Sequence, residues 1–224
     1  WASAKALALV FGPVVCMRTI AYVDGFNLYF GALRRTPHRW LDLKRLVELH
    51  LKPHHQIVGI KYFSAKLNPR PNDPDAPARQ ATYLRALATL PNLEITLGHF
   101  LTKNVRMLLA NPAPGQSTTV EVVKTEEKGS DVNLAVQLLH DAHLNRFDCA
   151  VIVSGDSDLL MPVKIIRNEL HKVVGVLNPQ VHPCTVLKAN ATFYKHLRPN
   201  FVAAAQFPQT LTDAQGTFTK PMSW

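Results

Sequence analysis

The sequence contains few cysteines, and none of them forms a pattern that would hold the chain together. Only Cys16, Cys149 and Cys184 occur among 224 residues, which is too few for a disulfide framework, and no Cys/His spacing is typical of a zinc site. Cys149 lies in an apolar run, where cysteine acts as a small buried hydrophobic side chain. This usage is typical of a reducing compartment, so we expect a cytoplasmic protein.

Several other signals of function are missing from the sequence. No apolar stretch is long enough to span a membrane. No Gly-x-Gly-x-x-Gly follows the first predicted strand and there is no Walker loop, so a dinucleotide or P-loop site is poorly supported. The ten histidines have no partners arranged for a nucleophilic triad.

Acidic residues are scarce compared with basic ones. The 16 acidic residues face 25 lysines and arginines, which gives a net charge of +9. This excess favours a polyanionic partner such as nucleic acid. Acids that cluster in so basic a chain need an explanation other than solubility.

The first residues form an apolar leader that is interrupted at Gly12-Pro13. No Ala-x-Ala cleavage site separates this leader from the first predicted strand, as a signal peptide would require. Met17 stands one residue before that strand, and we expect it to be the natural start. We therefore divide the chain into an N-terminal extension (1–17), which we expect to be non-native, one domain (18–197) and a C-terminal tail (198–224).

The remaining pattern alternates apolar runs with amphipathic segments, which predicts a doubly wound, mostly parallel α/β sheet. Strands are predicted at 18–24, 57–64, 93–97, 147–154 and 172–177, and helices at 27–35, 41–51, 78–90, 130–144 and 159–170. Residues 105–109 and 118–124 are predicted to form a hairpin or a mobile arm, and 186–197 a short helix or strand. We expect the tail to be an extended wrap or a flexible end, which leaves a homodimer open.

Carboxylates stand where predicted strands end. Asp24 ends the first strand and is followed by Gly25 and Asn27, while Asp156 and Asp158 follow the strand at 147–154. Parallel strands in an open sheet deliver their carboxyl ends to one crevice, where ligands bind. Each motif alone is also explained by a turn or a helix cap.

A third acidic motif opens the predicted helix at 130–144. Asp131 shares one helix face with Ala135, Leu138 and Ala142, so we expect it to continue the buried stripe towards the sheet. An acid on that face is costly unless it is paired or binds a metal. Together the acids predict a site for Mg²⁺ or Mn²⁺, which prefer oxygen ligands.

Basic residues would have to hold the substrate, because the carboxylates repel a polyanion. The substrate-binding candidates from this group are Arg34, Arg35, Arg39 and Lys128. The segment from Arg34 to Trp40 interleaves basic residues with an aromatic side chain that could stack a base; Trp40 packed inward explains it equally well. We expect the aromatic residues of 26–30 to lie in the core.

These motifs resemble the NYN domain, a branch of the PIN-like nuclease superfamily, and especially its LabA-like bacterial members. The matching segments are Tyr22-Val-Asp-Gly-Phe-Asn-Leu-Tyr29, Lys128-Gly-Ser-Asp-Val-Asn-Leu-Ala135 and Val153-Ser-Gly-Asp-Ser-Asp-Leu159. The resemblance implies a PIN-like three-layer α/β/α sandwich and a metal-dependent ribonuclease. It assigns Asp24, Asp131, Asp156 and Asp158 to metal binding and catalysis, with Asn27 and Ser154 as supports on the substrate side.

Two other functions stay open at this point. A non-catalytic RNA-binding or regulatory module would keep the fold, although intact acids weaken binding of RNA. A glycosyltransferase would use Asp-x-Asp to hold a metal on a nucleotide diphosphate, although the motifs around Asp24 and Asp131 would then be unexplained. The sequence assigns no particular RNA, no cleavage mode and no number of metal ions.

Overall fold

The fold is built on a seven-stranded sheet, as seen in a computed structural model that describes residues 16–69, 71–222 and 224. The strand order is β4-β3-β2-β1-β5-β6-β7, and only β4 runs antiparallel to its neighbour. The strands are β1 Met17–Asp24, β2 His55–Ala65, β3 Leu93–Leu108, β4 Thr119–Lys128, β5 Cys149–Val153, β6 Val173–Asn178 and β7 Phe193–His196. A separate hairpin is formed by β8 Thr210–Asp213 and β9 Gly216–Thr219.

Helices cover both faces of this sheet, which confirms the predicted α/β/α sandwich. They are α1 Gly25–Leu28, α2 Leu43–His50, α3 Ala76–Leu87, α4 Ser130–His143, α5 Leu160–Lys164, α6 Thr185–Asn190 and α7 Pro199–Ala204. The wider π-type turns Tyr29–Leu33 and Ile165–Glu169 continue α1 and α5, and the 3₁₀ turn Ser157–Leu159 precedes α5. The single helices predicted at 27–35 and 159–170 are therefore composite.

The two-residue period of the central strand divides the core between the two faces. In β1, Ala21 and Val23 join a cluster with α2 and α3, whereas Ile20 and Tyr22 join a second cluster with α4 and α5. Successive side chains of a strand point to opposite faces, so a strand buried on both sides is apolar throughout. This explains why β1 and β5 are continuous apolar runs.

The order of the strands places a crevice beside the ends of β1 and β5. The chain proceeds outward from β1 through β2 to β3, then returns to the other side of β1 with β5. The register pairs Val23 with Val153, so the residues that follow these two strands lie side by side. Such a switch point is where open α/β sheets bind ligands.

The predicted hairpin at 105–124 is confirmed, and it is longer than expected. Strand β3 does not end at Leu97 but continues to Leu108, pairing with β4 from His99–Lys128 to Leu108–Thr119. The outer part of this hairpin extends past the rest of the sheet. Residues 186–197 form both of the predicted alternatives, first α6 and then β7.

The tail is neither the extended wrap nor the flexible end that we expected from the sequence, because it forms regular elements. Residues beyond Arg198 form α7 and the β8–β9 hairpin, and they pack on their own chain. Trp40 is 1% exposed, donates its indole N–H to the carbonyl of Pro208 at 2.8 Å, and contacts the rings of Phe207 and Trp224. Nothing in the described part of the chain supports a homodimer.

Residues 1–15 lie outside the described part, so the expectation of a non-native N-terminal extension falls almost entirely on undescribed residues. Among the described residues, no helix combines the length and the apolar character needed to cross a membrane.

Candidate active site

Asp24 is the most buried carboxylate at the crevice. It is 4% exposed at the end of β1; its Oδ1 accepts a hydrogen bond from the backbone N–H of Asn27 at 2.9 Å, and its Oδ2 accepts one from the Ser154 hydroxyl at 3.0 Å. Burial raises the pKa of Asp24 to about 6, and the charges of Asp131 and Asp156 add to this rise against the two hydrogen bonds. Asp24 is thus held firmly, and no cation pairs with it among the residues that the structure describes.

Asn27 ties the first turn of α1 to the loop after β5. Its side-chain oxygen accepts hydrogen bonds from the backbone N–H of Gly155 and from the Gln180 amide, both at 2.9 Å. These two donors fix which way the amide points, so its NH₂ group is turned away from both. Asn27 therefore presents a donor to the cavity that it lines.

Gln180 is a site residue that sequence reasoning missed. It follows β6, and Asn178 holds it by accepting a hydrogen bond from the backbone N–H of Gln180 at 3.1 Å. The only signal in the sequence is its place two residues after the strand at 173–178, since parallel strands end at the same edge. Nothing local distinguishes it from an ordinary loop glutamine.

Asp156 and Asp158 follow β5 as predicted, and Asp156 takes the capping role considered for it. The backbone N–H of Asp156 donates to the Ser154 hydroxyl at 3.1 Å, and Oδ1 of Asp156 accepts from the backbone N–H of Asp158 at 3.0 Å. Asp156 thereby caps the turn that leads into α5. It is partly buried, whereas Asp158 is exposed at the rim.

Asp131 reaches the crevice from the start of α4. Although the side chain is exposed, the protein around its carboxylate removes part of its hydration and so raises its pKa; the negative charge of Asp156 raises the pKa further, with Glu127 and Asp158 adding smaller contributions. Asp131 is exposed although Leu138 and Ala142 on the same face are buried. The expectation that it continues the buried stripe is therefore corrected: Asp131 lies at the rim of the cavity, where α4 begins.

The segment before α4 is shaped by one glycine and one acid. Gly129 has a φ of 103°, which is a conformation that side chains rarely adopt. Glu127 then accepts hydrogen bonds from the backbone N–H of Ser130 at 3.1 Å and from its hydroxyl at 2.8 Å. Glu126 forms ion pairs with Lys124 and Lys128 instead, so of the two glutamates only Glu127 lines the cavity.

Two further glycines allow close approach of the backbone at the site. A Cβ on Gly25 would lie 2.8 Å from the carbonyl oxygen of Phe63, and a Cβ on Gly155 would collide with the Asn178 side-chain oxygen. A larger residue at either position would push β1 or β5 away from its neighbours.

The carboxylates are neighbours without forming a closed ligand set. Asp24, Asp131 and Asp156 line one cavity and interact electrostatically, but no three His, Cys, Asp or Glu side chains in the described ranges converge closely enough to enclose an ion. Asp131 and Asp158 are exposed and have the rotamer freedom to move.

The cavity beside the acids has a volume of about 560 Å³ and is lined by aromatic and basic residues. Of the predicted basic residues, Arg34 and Arg39 line it. Arg35 is exposed outside it, and Lys128 is engaged at 2.9 Å by Glu126. The structure thus brings together only two of the four predicted cations.

Phe26 and Phe30, in α1 and its continuation, differ from the expected core packing, whereas Tyr29 packs against the core as expected. Phe26, Tyr29 and Phe30 all line the cavity, and Phe30 is 54% exposed. Trp40, the proposed stacking residue, is buried instead.

Comparison with known proteins agrees with this architecture. The chain is 33% identical over 236 residues to 6-hydroxy-3-succinoylpyridine 3-monooxygenase of Pseudomonas putida (strain DSM 28022 / S16), an alignment that covers 93% of this chain and 75% of that protein. A crystal structure of a protein of unknown function from Vibrio parahaemolyticus is similar in fold, with a TM-score of 0.51 at 18% identity, covering 83% of this chain and 96% of that one. The family described as NYN domain matches residues 18–197, and the chain therefore belongs to the NYN domain family, a branch of the PIN-like nucleases.

Proposed function

We propose that this protein is a metal-dependent ribonuclease that hydrolyses phosphodiester bonds at the acidic edge of the sheet. The observation that carries the proposal is the meeting of Asp24, Asp131 and Asp156 at one cavity. They come from three separate segments of a chain with net charge +9. Carboxylates that raise one another's pKa are stabilised by a cation.

The donor set fits a hard divalent cation. Asp24, Asp131 and Asp156 would hold Mg²⁺ or Mn²⁺, and Asp158 would hold a second ion or orient the attacking water. No cysteine or histidine is among them, which disfavours softer metals. When bound, the metal supplies positive charge that lowers the pKa of water and offsets the charge on the phosphate.

The chain's own residues position the reacting groups. Ser154 and the backbone of Asn27 fix the Asp24 carboxylate through the hydrogen bonds described above. The Asn27 NH₂ group donates to a phosphate oxygen, because its carbonyl oxygen is already occupied. Arg34 and Arg39 supply cations on the substrate side of the cavity, as phosphate recognition requires.

The test is cleavage of end-labelled RNA and DNA in Mg²⁺, Mn²⁺ or EDTA by the wild type and by Asp156→Asn. We expect metal-dependent cutting of RNA that falls by at least about 100-fold in the variant, since the metal contributes several kcal/mol to the transition state. The matched control is Asp148→Asn: this carboxylate pairs with Arg18, which lies near the start of β1, at the opposite end of the sheet.

Each result has a distinct meaning. Cutting that survives Asp156→Asn would show that the site is wrongly assigned or that a contaminant acts. RNA binding without any cutting, and binding that improves in Asp156→Asn, would favour the non-catalytic RNA-binding module.

A second candidate function comes from the relative of Pseudomonas putida, whose name describes oxidation of a hydroxylated pyridine. The aromatic lining of the cavity and its volume of about 560 Å³ suit a single-ring compound. A monooxygenase places one atom of O₂ in its substrate and reduces the other to water with two electrons from a donor. Consumption of O₂ and of a supplied two-electron donor that depends on 6-hydroxy-3-succinoylpyridine would support this function, and its absence would oppose it.

A further inference from the structure

Apart from the acids that line one part of it, the cavity has two walls of different chemistry. One wall is aromatic: the rings of Phe26 and Phe30 are 6.4 Å apart between centroids and inclined by only 20°, and Phe100 of β3 meets Phe26 edge-on at 5.7 Å. Phe30 leaves 54% of its surface exposed. An exposed phenylalanine beside other aromatic rings in a concave site is a surface on which a planar ring can stack.

The other wall is cationic. The guanidinium carbon of Arg34 lies 5.4 Å from the centre of the Phe30 ring, and Arg39 donates from Nη2 to the carbonyl oxygen of Arg34 at 2.6 Å. Two arginines are thus held next to the aromatic wall. A cation over an aromatic face is attracted to it, so Phe30 also helps to orient Arg34.

These two arginines lack the counter-charge that a third one has. Arg79, which also lines the cavity, is paired with Asp73 through Nη2 at 2.7 Å. Within the described residues, neither Arg34 nor Arg39 forms a salt bridge, and Nε of Arg39 is buried without a hydrogen-bond partner. A buried donor without a partner is costly, and an anion at this position would remove that cost.

We propose that this cavity binds one planar aromatic ring that carries an anionic group. The ring stacks on Phe26 and Phe30, and the anion binds Arg34 and Arg39. If the protein is the proposed ribonuclease, the ring is an unpaired base beside the cleaved bond and the anion is the phosphate of that nucleotide. This identification of the substrate rests on the proposed function. The same chemistry is also present in a small aromatic acid.

This arrangement selects single-stranded RNA. A base within a duplex is covered by its neighbours on both faces and by its partner at its edge, so it cannot stack on Phe30. Stacking on aromatic side chains tolerates every base, because each has a π-face. We therefore expect preference for unpaired over paired RNA with little preference among bases.

The experiment measures binding in EDTA, so that it requires neither metal nor catalysis. Titration calorimetry compares uridine and adenosine 5′-monophosphate with 6-hydroxynicotinate, using the full chain. We expect Phe30→Ala and Arg34→Gln each to weaken binding about tenfold, the order of one stacking or charge-assisted contact. Phe30 is half exposed, so its truncation leaves the fold intact.

The matched control is Arg35→Gln, which removes the same charge one residue away. Arg35 is exposed and does not line the cavity, so mononucleotide binding should not change. If only the nucleotides bind, RNA is the source of the natural ligand. If only 6-hydroxynicotinate binds, the natural ligand is a small aromatic acid. Equal weakening in Arg34→Gln and Arg35→Gln, or no binding of either ligand at millimolar concentration, would overturn the proposal.

The outcome is separable from that of the proposed ribonuclease. Nucleotide binding that depends on Phe30 and Arg34, in a protein that cuts no RNA, would preserve the binding site and refute the hydrolytic function. Cutting of RNA that proceeds equally well in Phe30→Ala and Arg34→Gln, without preference for unpaired strands, would refute the binding site and preserve the function.

Discussion

Helix α4 carries two aspartates whose surroundings are opposite. Asp131 in its first turn has acidic neighbours, and its pKa is raised. Asp141 near its end is fully buried; burial alone would raise its pKa, but hydrogen bonds from Lys61, Tyr22 and Arg146 outweigh it and hold the pKa below its usual range. Within the described residues the first aspartate has no cationic partner, whereas the second is paired with Lys61 and Arg146.

The partners of Asp141 explain this difference. Lys61 and Tyr22 reach Oδ2 at 2.8 and 2.7 Å, and Arg146 reaches Oδ1 at 2.8 Å. Lys61 lies on β2 and Tyr22 on β1, so the group fastens α4 to the sheet. A buried carboxylate that is paired with cations and hydrogen-bond donors, such as Asp141, has a structural role. Carboxylates at a crevice that have no cationic partner among the described residues indicate a functional site.

The strongest test of the comparison is Lys61→Met, which removes one built-in cation. We expect a loss of about 3–5 kcal/mol in the free energy of unfolding, because Asp141 keeps its buried charge without its lysine. Urea unfolding measures this loss. The control is Arg18→Gln, which breaks a pair whose members are about 40% exposed; an equal loss there would contradict the distinction.

The pH dependence of metal-free stability should separate the two kinds of carboxylate. Asp24 has its pKa raised to about 6, so the native state holds a proton that the unfolded chain has released. Stability therefore falls as pH rises from about 4 to 6, by about 3 kcal/mol from this group. Asp141, with a lowered pKa, contributes stability that is lost as pH falls below about 4.

Urea unfolding of the wild type and Asp24→Asn in EDTA, at pH values from 4 to 7, isolates the Asp24 contribution. The two curves should diverge with increasing pH, the wild type losing stability relative to the variant. Parallel curves would mean that Asp24 titrates normally in the folded protein.

Added metal should stabilise the site carboxylates and leave the Asp141 group unaffected. At thirtyfold over its Kd, Mg²⁺ should raise the free energy of unfolding of the wild type by about 2 kcal/mol. Asp131→Asn should reduce this gain. Lys61→Met should show the full gain, although its free energy of unfolding without metal is lower than that of the wild type. Thermal unfolding with and without Mg²⁺ measures both, and an equal gain in Asp131→Asn would exclude Asp131 as a ligand.

The smallest expected effect concerns the neutral supports of the site. Gln180→Leu removes one of two donors to the Asn27 side chain. We expect kcat for RNA cleavage to fall about fivefold with little change in KM, as one hydrogen bond contributes about 1 kcal/mol. If the unfolding midpoint of Gln180→Leu falls far enough to account for the lost activity, the role of Gln180 is structural only.

The layers of the fold could be predicted from the sequence because the apolar residues follow clear strand and helix patterns. Apolar runs that end in carboxylates indicated β1 and β5, and the apolar face at 130–144 indicated α4. The prediction failed on the tail, whose polar composition hides α7 and the β8–β9 hairpin. Those elements are stabilised by contacts with Trp40, more than 160 residues away, which no local pattern encodes.

The acidic residues of the candidate site could be predicted from the sequence, but the residues that surround them could not. Asp24 and Asp156 could be placed together because adjacent parallel strands end at one edge. Gln180 could not be identified, since its partner Asn27 is 153 residues distant. Likewise, nothing local distinguishes Arg34, which lines the cavity, from Arg35, which does not.

By itself, the sequence determined where carboxylates follow strands, which segments are buried and that the chain carries net positive charge, because periodicity and composition are properties of neighbouring residues. Only the tertiary structure decided that Asp141 is satisfied while Asp131 is not, and that Phe30 and Arg34 face one cavity. The charge state and exposure of a side chain depend on groups brought from distant parts of the chain. The same residue type on the same helix therefore acquires opposite roles.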